Sequence, residues 1–195
     1  GLAGIAMAET LLGQGRSVVV FDNHSQKASM VAGGLYNPVV LKRLNLSWEG
    51  SRLMAFSIPF YEALQAKLGV EFDEKLPVMR LLATAREQND WFQATDQEGL
   101  SEFLIPEISE NHNPCLEAPF GMGAVRHTGR IHTARLMGAY RESLSRGGNL
   151  REEVFRYQSL KIEGQGVSYE GLSARAIIFC EGFGLQQNPY FNYLP

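Results

Sequence analysis

Gly1 and Gly4 stand three residues apart at the head of a helical pattern, and this stretch restricts the fold more than any other part of the 195-residue sequence. Leu2, Ile5, Ala6, Ala8, Leu11 and Leu12 recur at helical spacing over residues 2–14, and Gly13 and Gly15 supply an end signal. Ser17-Val-Val-Val-Phe-Asp22 follows as a short, nearly continuous apolar run, the pattern of a parallel strand buried on both faces. Glycines, helix, buried strand and terminal acid are the parts of a dinucleotide-binding βαβ unit, whose fingerprint is G-x-G-x-x-G with an acid about 20 residues on. Gly1 then lets backbone approach a pyrophosphate, and Gly4 lets helix and strand pack closely. The helix N-terminus adds free N–H groups and a partial positive charge. Asp22 accepts from a ribose hydroxyl, which NAD and FAD both carry. If Gly1 and Gly4 are the second and third glycines of the fingerprint, the first glycine and its strand belong upstream. The chain is therefore expected to be a segment of a longer polypeptide.

Composition narrows the function classes. Lys plus Arg total 18 and Asp plus Glu 21, a net charge of −3, which argues against a protein built mainly to grip phosphate backbones. Cys115 and Cys180 are far apart and in no metal-ligand spacing, so no metal site is expected and a reducing cytoplasm fits. No apolar run approaches the roughly 20 residues that a membrane helix requires.

Beyond Asp22, residues 23–45 carry Ala32-Gly33-Gly34 and Asn37-Pro38 and read as loop with one short helix. The pattern over 48–68 predicts a long helix that Pro59 should kink or split. Val78–Ala83 reads as a strand. Thr84-Ala-Arg-Glu87 has the form of a capping box and opens a helix across Trp91 and Phe92, which are read as core. Residues 99–121 give no clear pattern. Gly123–Arg126 and Gly129–His132 read as strands, and Thr133 is expected to cap a helix to about Ser145. Glu153–Tyr157, Ser159–Ile162 and Val167–Tyr169 look like a meander, and Ala174–Cys180 like another buried strand. Three segments result: 1–45 and 129–195 form a nucleotide-binding domain, and 46–128 form a substrate domain inserted into it. The fold class is α/β, a Rossmann-like parallel-sheet domain interrupted by a substrate domain with an antiparallel sheet.

Ser29-Met-Val-Ala-Gly-Gly-Leu-Tyr-Asn-Pro38 chooses between the cofactors. It resembles the pattern S-x-x-A-(A/G)-G-x-x-x-P of the D-amino acid oxidase (DAO) family of FAD-dependent oxidoreductases. Its spacing is similar to that of glycine oxidase and of the oxidase domain of the tRNA-modifying MnmC enzymes. Gly129-Arg-Ile-His-Thr133, Glu153-Val154-Phe155 and Ala176-Ile-Ile-Phe-Cys-Glu-Gly182 resemble later family stretches. The resemblance implies that Gly1, Gly4, Asp22, Ser29, Ala32, Gly33, Gly34, Val154 and Gly182 line FAD. Val154 would do so through its backbone, at the adenine. It implies oxidation of an amine or amino acid by hydride transfer to flavin N5, with a small-molecule substrate; the slight negative charge argues against a nucleic-acid partner. A tRNA-modifying oxidase domain and a redox-inactive FAD-binding protein are the alternatives; an NAD-dependent dehydrogenase does not fit the Ser29–Pro38 segment.

The sequence departs from the family at Asp22, where Glu is frequent, and at Glu181, which replaces a small or polar residue. A carboxylate beside FAD phosphates would repel them, so Glu181 is expected to point away or to contact a hydroxyl. Catalytic residues are not identified. Arg80, Arg126 and Arg130 could pair with a substrate carboxylate, and His127 and His132 could contact substrate. His24 reads as a loop residue near the ribose end, and Cys180 as buried and inert.

Overall fold

The computed structural model describes residues 1–25, 27–164 and 166–193. Along the chain the elements are α1 (Leu2–Gly13), β1 (Val20–Phe21), α2 (Ala28–Val31), β2 (Leu35–Tyr36), β3 (Val39–Val40), β4 (Asn45–Leu46), α3 (Gly50–Leu68), β5 (Asp73–Lys75) and β6 (Val78–Leu81). They continue with α4 (Ala85–Thr95), β7 (Leu104–Ser109), β8 (Met122–Val125), β9 (Gly129–Ile131), α5 (Thr133–Arg146), β10 (Leu150–Arg151), β11 (Leu160–Glu163), β12 (Gly166–Tyr169) and β13 (Leu172–Ala174). Two compact units result, one of Gly1–Ala32 with Thr133–Pro195, the other Gly33–His132. Their boundaries fall away from 45/46 and 128/129. The Gly- and Pro-rich stretch after Ala32 hides two-residue strands, and β2 pairs antiparallel with β9, more than ninety residues away.

In the first unit β1 and β10 pair in parallel, Val20 with Leu150 and Phe21 with Arg151. The strand expected over Ser17–Asp22 is thus two residues long, because β10 offers a ladder only there. Helices α1 and α5 pack together, and Ile5 and Ala8 of one and Leu136, Tyr140 and Leu144 of the other are buried. The Tyr140 hydroxyl donates to Glu9 at 3.2 Å, and burial, ahead of the Glu9 charge, pushes its pKa up. Thr133 is the first residue of α5 rather than its cap, and its hydroxyl donates to the Ala32 carbonyl at 3.1 Å. Beyond β10, Phe21, Phe155 and Tyr169 form an aromatic cluster in which Phe155 and Tyr169 stack at 4.3 Å between centroids. Each such pair contributes about 0.5–1.5 kcal/mol beyond its buried area.

The meander differs from expectation. Its strands are β11, β12 and β13, antiparallel in that order, and 153–157 forms no strand. A two-residue turn, Glu170-Gly171, joins β12 to β13, with φ of +43° and +85°. Two positive φ values in succession match the primed turns that suit twisted hairpins. Ala174 ends β13, and Arg175 with the apolar run 176–180 has no ladder partner among the described residues, so the strand expected over Ala174–Cys180 does not form there.

The second unit is built on β6-β8-β7, an antiparallel sheet against which α4 packs. Trp91 of α4 is fully buried beside Val39, Leu82, Leu100, Phe103, Leu104 and Val125. Gly123 of β8 makes room for its indole: a Cβ there would lie 2.3 Å from Trp91 Cε2. The Trp91 N–H donates to the Ile105 carbonyl at 2.9 Å. That carbonyl lies within the register shift of edge strand β7, where Pro106 has no N–H to give a ladder. Phe92, on the other side of α4, is exposed.

The capping box forms. The Glu87 N–H donates to the Thr84 hydroxyl at 3.2 Å, while the Glu87 carboxylate accepts from the Ala83 N–H at 2.8 Å. Helix α3 runs through Pro59 as one element, so the expected split does not occur. Pro59 and Ala55, whose carbonyl loses its donor, are both exposed, so water can take the missing place. A second sheet, β2-β9-β5, and the β3-β4 hairpin complete the unit. No helix among the described residues is long and apolar enough to cross a membrane.

Candidate functional site

Most of the residues expected to line the cofactor lie in the first unit. The N-terminus of α1 has no acidic residue in its first turn, and Gly1 and Gly4 place no side chain there. Ser29, on α2, reaches it: its Oγ accepts the Leu2 N–H at 3.3 Å, and a Cβ on Gly1 would stand 3.0 Å from that Oγ. On Gly4 a Cβ would lie 3.6 Å from Cys180 Cβ. The segment ending in Gly182 therefore passes the same helix end. Gly182 itself has φ +55° with open space where a Cβ would be. Gly1, Gly4 and Ser29 thus converge on one backbone-lined spot. It can hold an anion, because N–H groups and the helix dipole point there.

Asp22 sits at the end of β1. One carboxylate oxygen accepts the His24 N–H at 3.1 Å, and the other accepts Arg141 Nη1 at 2.6 Å. His24 adopts φ +62° to make this turn, so it shapes the acid's loop. Arg141 also reaches the Asp22 carbonyl at 3.4 Å and pairs with Glu152 at 3.2 Å. Val154, just past the end of β10, is 62% exposed. Ala32 contributes its carbonyl to Thr133, as described, and ends the first segment of this unit.

Gly33 and Gly34 belong to the second unit. Gly34 has φ +70°, and its carbonyl accepts the Ile131 N–H at 2.9 Å. A Cβ at Gly33 would meet open space.

Glu181 meets one half of the expectation placed on it. Its carboxylate accepts the Tyr157 hydroxyl at 2.6 Å and the Asn188 amide at 2.7 Å. Burial, then the Glu181 hydrogen bond and charge, push the Tyr157 phenol up to about 12. Burial also raises the Cys180 thiol, which keeps it protonated and unreactive.

The arginines and histidines weighed for substrate contact have local roles or lie exposed. Arg80 donates to the Leu41 carbonyl and pairs with Glu87 at 3.0 Å, so it braces the start of α4. His132 lies 3.1 Å from Glu74. Arg126, His127 and Arg130 are exposed, and His127 meets the edge of Phe103. Sequence reasoning missed Arg141, Tyr157 and Asn188. Arg141 finds its partner 119 residues away and Tyr157 finds Glu181 24 residues away, while Asn188 meets Glu181 at a separation of 7, and no local pattern announces any of these pairs. The Glu170-Gly171 turn did have a signal, an acid–glycine dipeptide between short apolar runs.

A family model described as DAO, FAD dependent oxidoreductase, matches residues 1–191. Glycine oxidase from Bacillus cereus ATCC 14579 matches in structure with a TM-score of 0.57 at 22% identity, over 90% of this chain and 52% of that one. Glycine oxidase from Geobacillus kaustophilus matches with a TM-score of 0.61 at 19% identity, over 90% of this chain and 51% of that one. At these identities the likeness is one of fold, and the chain spans about half the length of either structure. By its sequence from Gly1 to Phe191 the chain belongs to the DAO family of FAD dependent oxidoreductases, and FAD is the cofactor of that family.

Proposed function

We propose that the protein oxidises a small amine or amino acid with FAD, and that its first unit is a Rossmann-like dinucleotide cradle. The observation that carries the reading is the convergence of Gly1, Gly4 and Ser29 on the α1 N-terminus, with Asp22 at the end of the adjoining strand. These residues fit the dinucleotide. A Cβ at Gly1 would crowd Ser29, so glycine at this position lets the Ser29 hydroxyl come up to the helix end. The Ser29 oxygen accepts from Leu2, which leaves its own proton to donate to a phosphate oxygen. Asp22 would hold the adenosine ribose, Val154 would serve the adenine, and Ala32 and Gly182 of the same unit would serve the rest of the cofactor, a role the family resemblance gives Gly33 and Gly34 as well.

The Glu181 charge is taken up by Tyr157 and Asn188, which makes a carboxylate tolerable beside a phosphate site. Bound FAD would supply the oxidising chemistry, a hydride acceptor for the carbon beside the substrate nitrogen. The protein must keep that nitrogen neutral, because an ammonium has no lone pair to stabilise the developing cation. The glycine oxidases that share the fold favour a glycine-like or N-substituted glycine substrate. A cytoplasmic location goes with this reading.

The test is the visible spectrum of the intact purified protein. A flavin band that bleaches anaerobically on adding glycine, N-methylglycine or another small amine supports the reading. A bound flavin that no amine bleaches would overturn the oxidase and leave a redox-inactive FAD-binding protein. A protein that binds no FAD would overturn the cradle as well.

A further inference from the structure

Arg141 is a well-shielded cation beside the end of β1 that the dinucleotide fingerprint does not call for. Because β1 and β10 run parallel, their ends lie side by side, with Asp22 following one and Glu152 following the other. Arg141 projects from α5 onto both. Its guanidinium meets Asp22 Oδ2 at 2.6 Å, the Asp22 carbonyl at 3.4 Å and Glu152 Oε2 at 3.2 Å. Its side chain is 16% exposed, against 38% for Asp22 and 62% for Glu152, so the arginine is the better-shielded member of the group. Tyr140, the preceding residue, is buried against α1, which fixes the helix face from which Arg141 extends.

We propose that Arg141 is a positioning residue for the nucleotide: it holds the Asp22 carboxylate in the orientation that accepts the ribose hydroxyls. This rests on the reading of Asp22 given above. The carboxylate is held from two directions, by the His24 N–H on one oxygen and by Arg141 on the other. Each oxygen keeps a further lone pair for a ribose hydroxyl. A carboxylate fixed this way loses no rotamer freedom when the nucleotide arrives. The guanidinium also offsets two carboxylates close to where a dianionic pyrophosphate must pass, which lowers the repulsion between protein and ligand. Lysine could supply the charge but not the planar fork that reaches Asp22 and Glu152 together.

The test is calorimetric titration of the intact apoprotein with FAD and with ADP, which carries the ribose and pyrophosphate but no flavin. Four variants are compared: Arg141→Met, Arg141→Lys, Asp22→Ala and, as a control on the same helix, Arg146→Gln, whose pair with Glu142 is exposed and 3.9 Å long. Thermal melting is recorded for each. Arg141→Met is expected to weaken ADP and FAD by about tenfold, the equivalent of one hydrogen bond to a charged group. Arg141→Lys should recover part of that loss, and Arg146→Gln should bind as the parent does. If Asp22→Ala weakens ADP while a folded Arg141→Met binds it normally, the Arg141 proposal falls and the ribose reading stands. If Asp22→Ala also binds ADP normally, the ribose reading falls with it. Should Arg141→Met not fold, Arg141→Lys decides: parental ADP affinity refutes the proposal, and a partial loss supports it.

Discussion

Removing the Glu181 carboxylate should destabilise the protein by more than a surface charge would. Its two oxygens serve two donors, the Tyr157 hydroxyl at 2.6 Å and the Asn188 amide at 2.7 Å. Asn188 is 1% exposed, and its own amide oxygen is taken by the Tyr190 N–H at 2.9 Å. In Glu181→Ala the Asn188 N–H₂ becomes a buried donor without a partner, which costs about 1–3 kcal/mol. Loss of the charge-assisted bond from Tyr157 adds to this, and about 2–4 kcal/mol is expected in total. Glu181→Gln keeps one acceptor oxygen but turns an N–H₂ toward the other donor, so about half that loss is expected.

The pH dependence carries its own sign. The Tyr157 phenol is raised in the folded state from 10.0 to about 12, by burial first and then by Glu181. The folded state thus holds the proton more tightly than the unfolded chain. Its contribution to stability is complete below pH 10 and is lost as pH climbs from 10 to 12. In Glu181→Ala the titration should move partway back toward 10, since burial remains. Urea unfolding at neutral pH measures the stability, and phenolate absorbance measures the titration. A Glu181→Ala protein within about 0.5 kcal/mol of the parent, the range of an ordinary surface change, would refute the reasoning.

Gly123→Ala should lower the melting temperature markedly, because its Cβ would stand 2.3 Å from the buried Trp91 ring; overpacking of this kind costs about 1–3 kcal/mol, and an unshifted melt would contradict it. Thr84→Ala removes the hydroxyl that accepts the Glu87 N–H and should cost about 1 kcal/mol in urea unfolding. Gly34→Val puts a β-branched residue at φ +70° and, on the proposed placement of Gly34 against the flavin, should give a cooperative but colourless protein. A fully flavin-loaded Gly34→Val would remove Gly34 from that placement.

What was legible along the chain was what depends on near neighbours. Helical patterning located α1 and α5 to within a residue or two and the capping box located the start of α4, since a helix satisfies its own backbone groups four residues away. The Thr84–Glu87 box and the Gly1–Gly4 helix start are local chemistry of the same kind. A strand is only as long as its partner allows, so tertiary structure decided the rest. Val18 and Val19 have the apolar pattern of β1 but fall outside its two-residue ladder with β10. Residues 175–180 read as a strand and have no ladder among the described residues. Tertiary structure also decided that residues 33–45 join the second unit, through β2 and the buried Val39. The same holds for the site. Gly1, Gly4, Ser29 and Asp22 announced themselves by spacing. Arg141, Tyr157 and Asn188 did not, because charges and hydroxyls look alike along a chain until folding brings a partner within 3 Å.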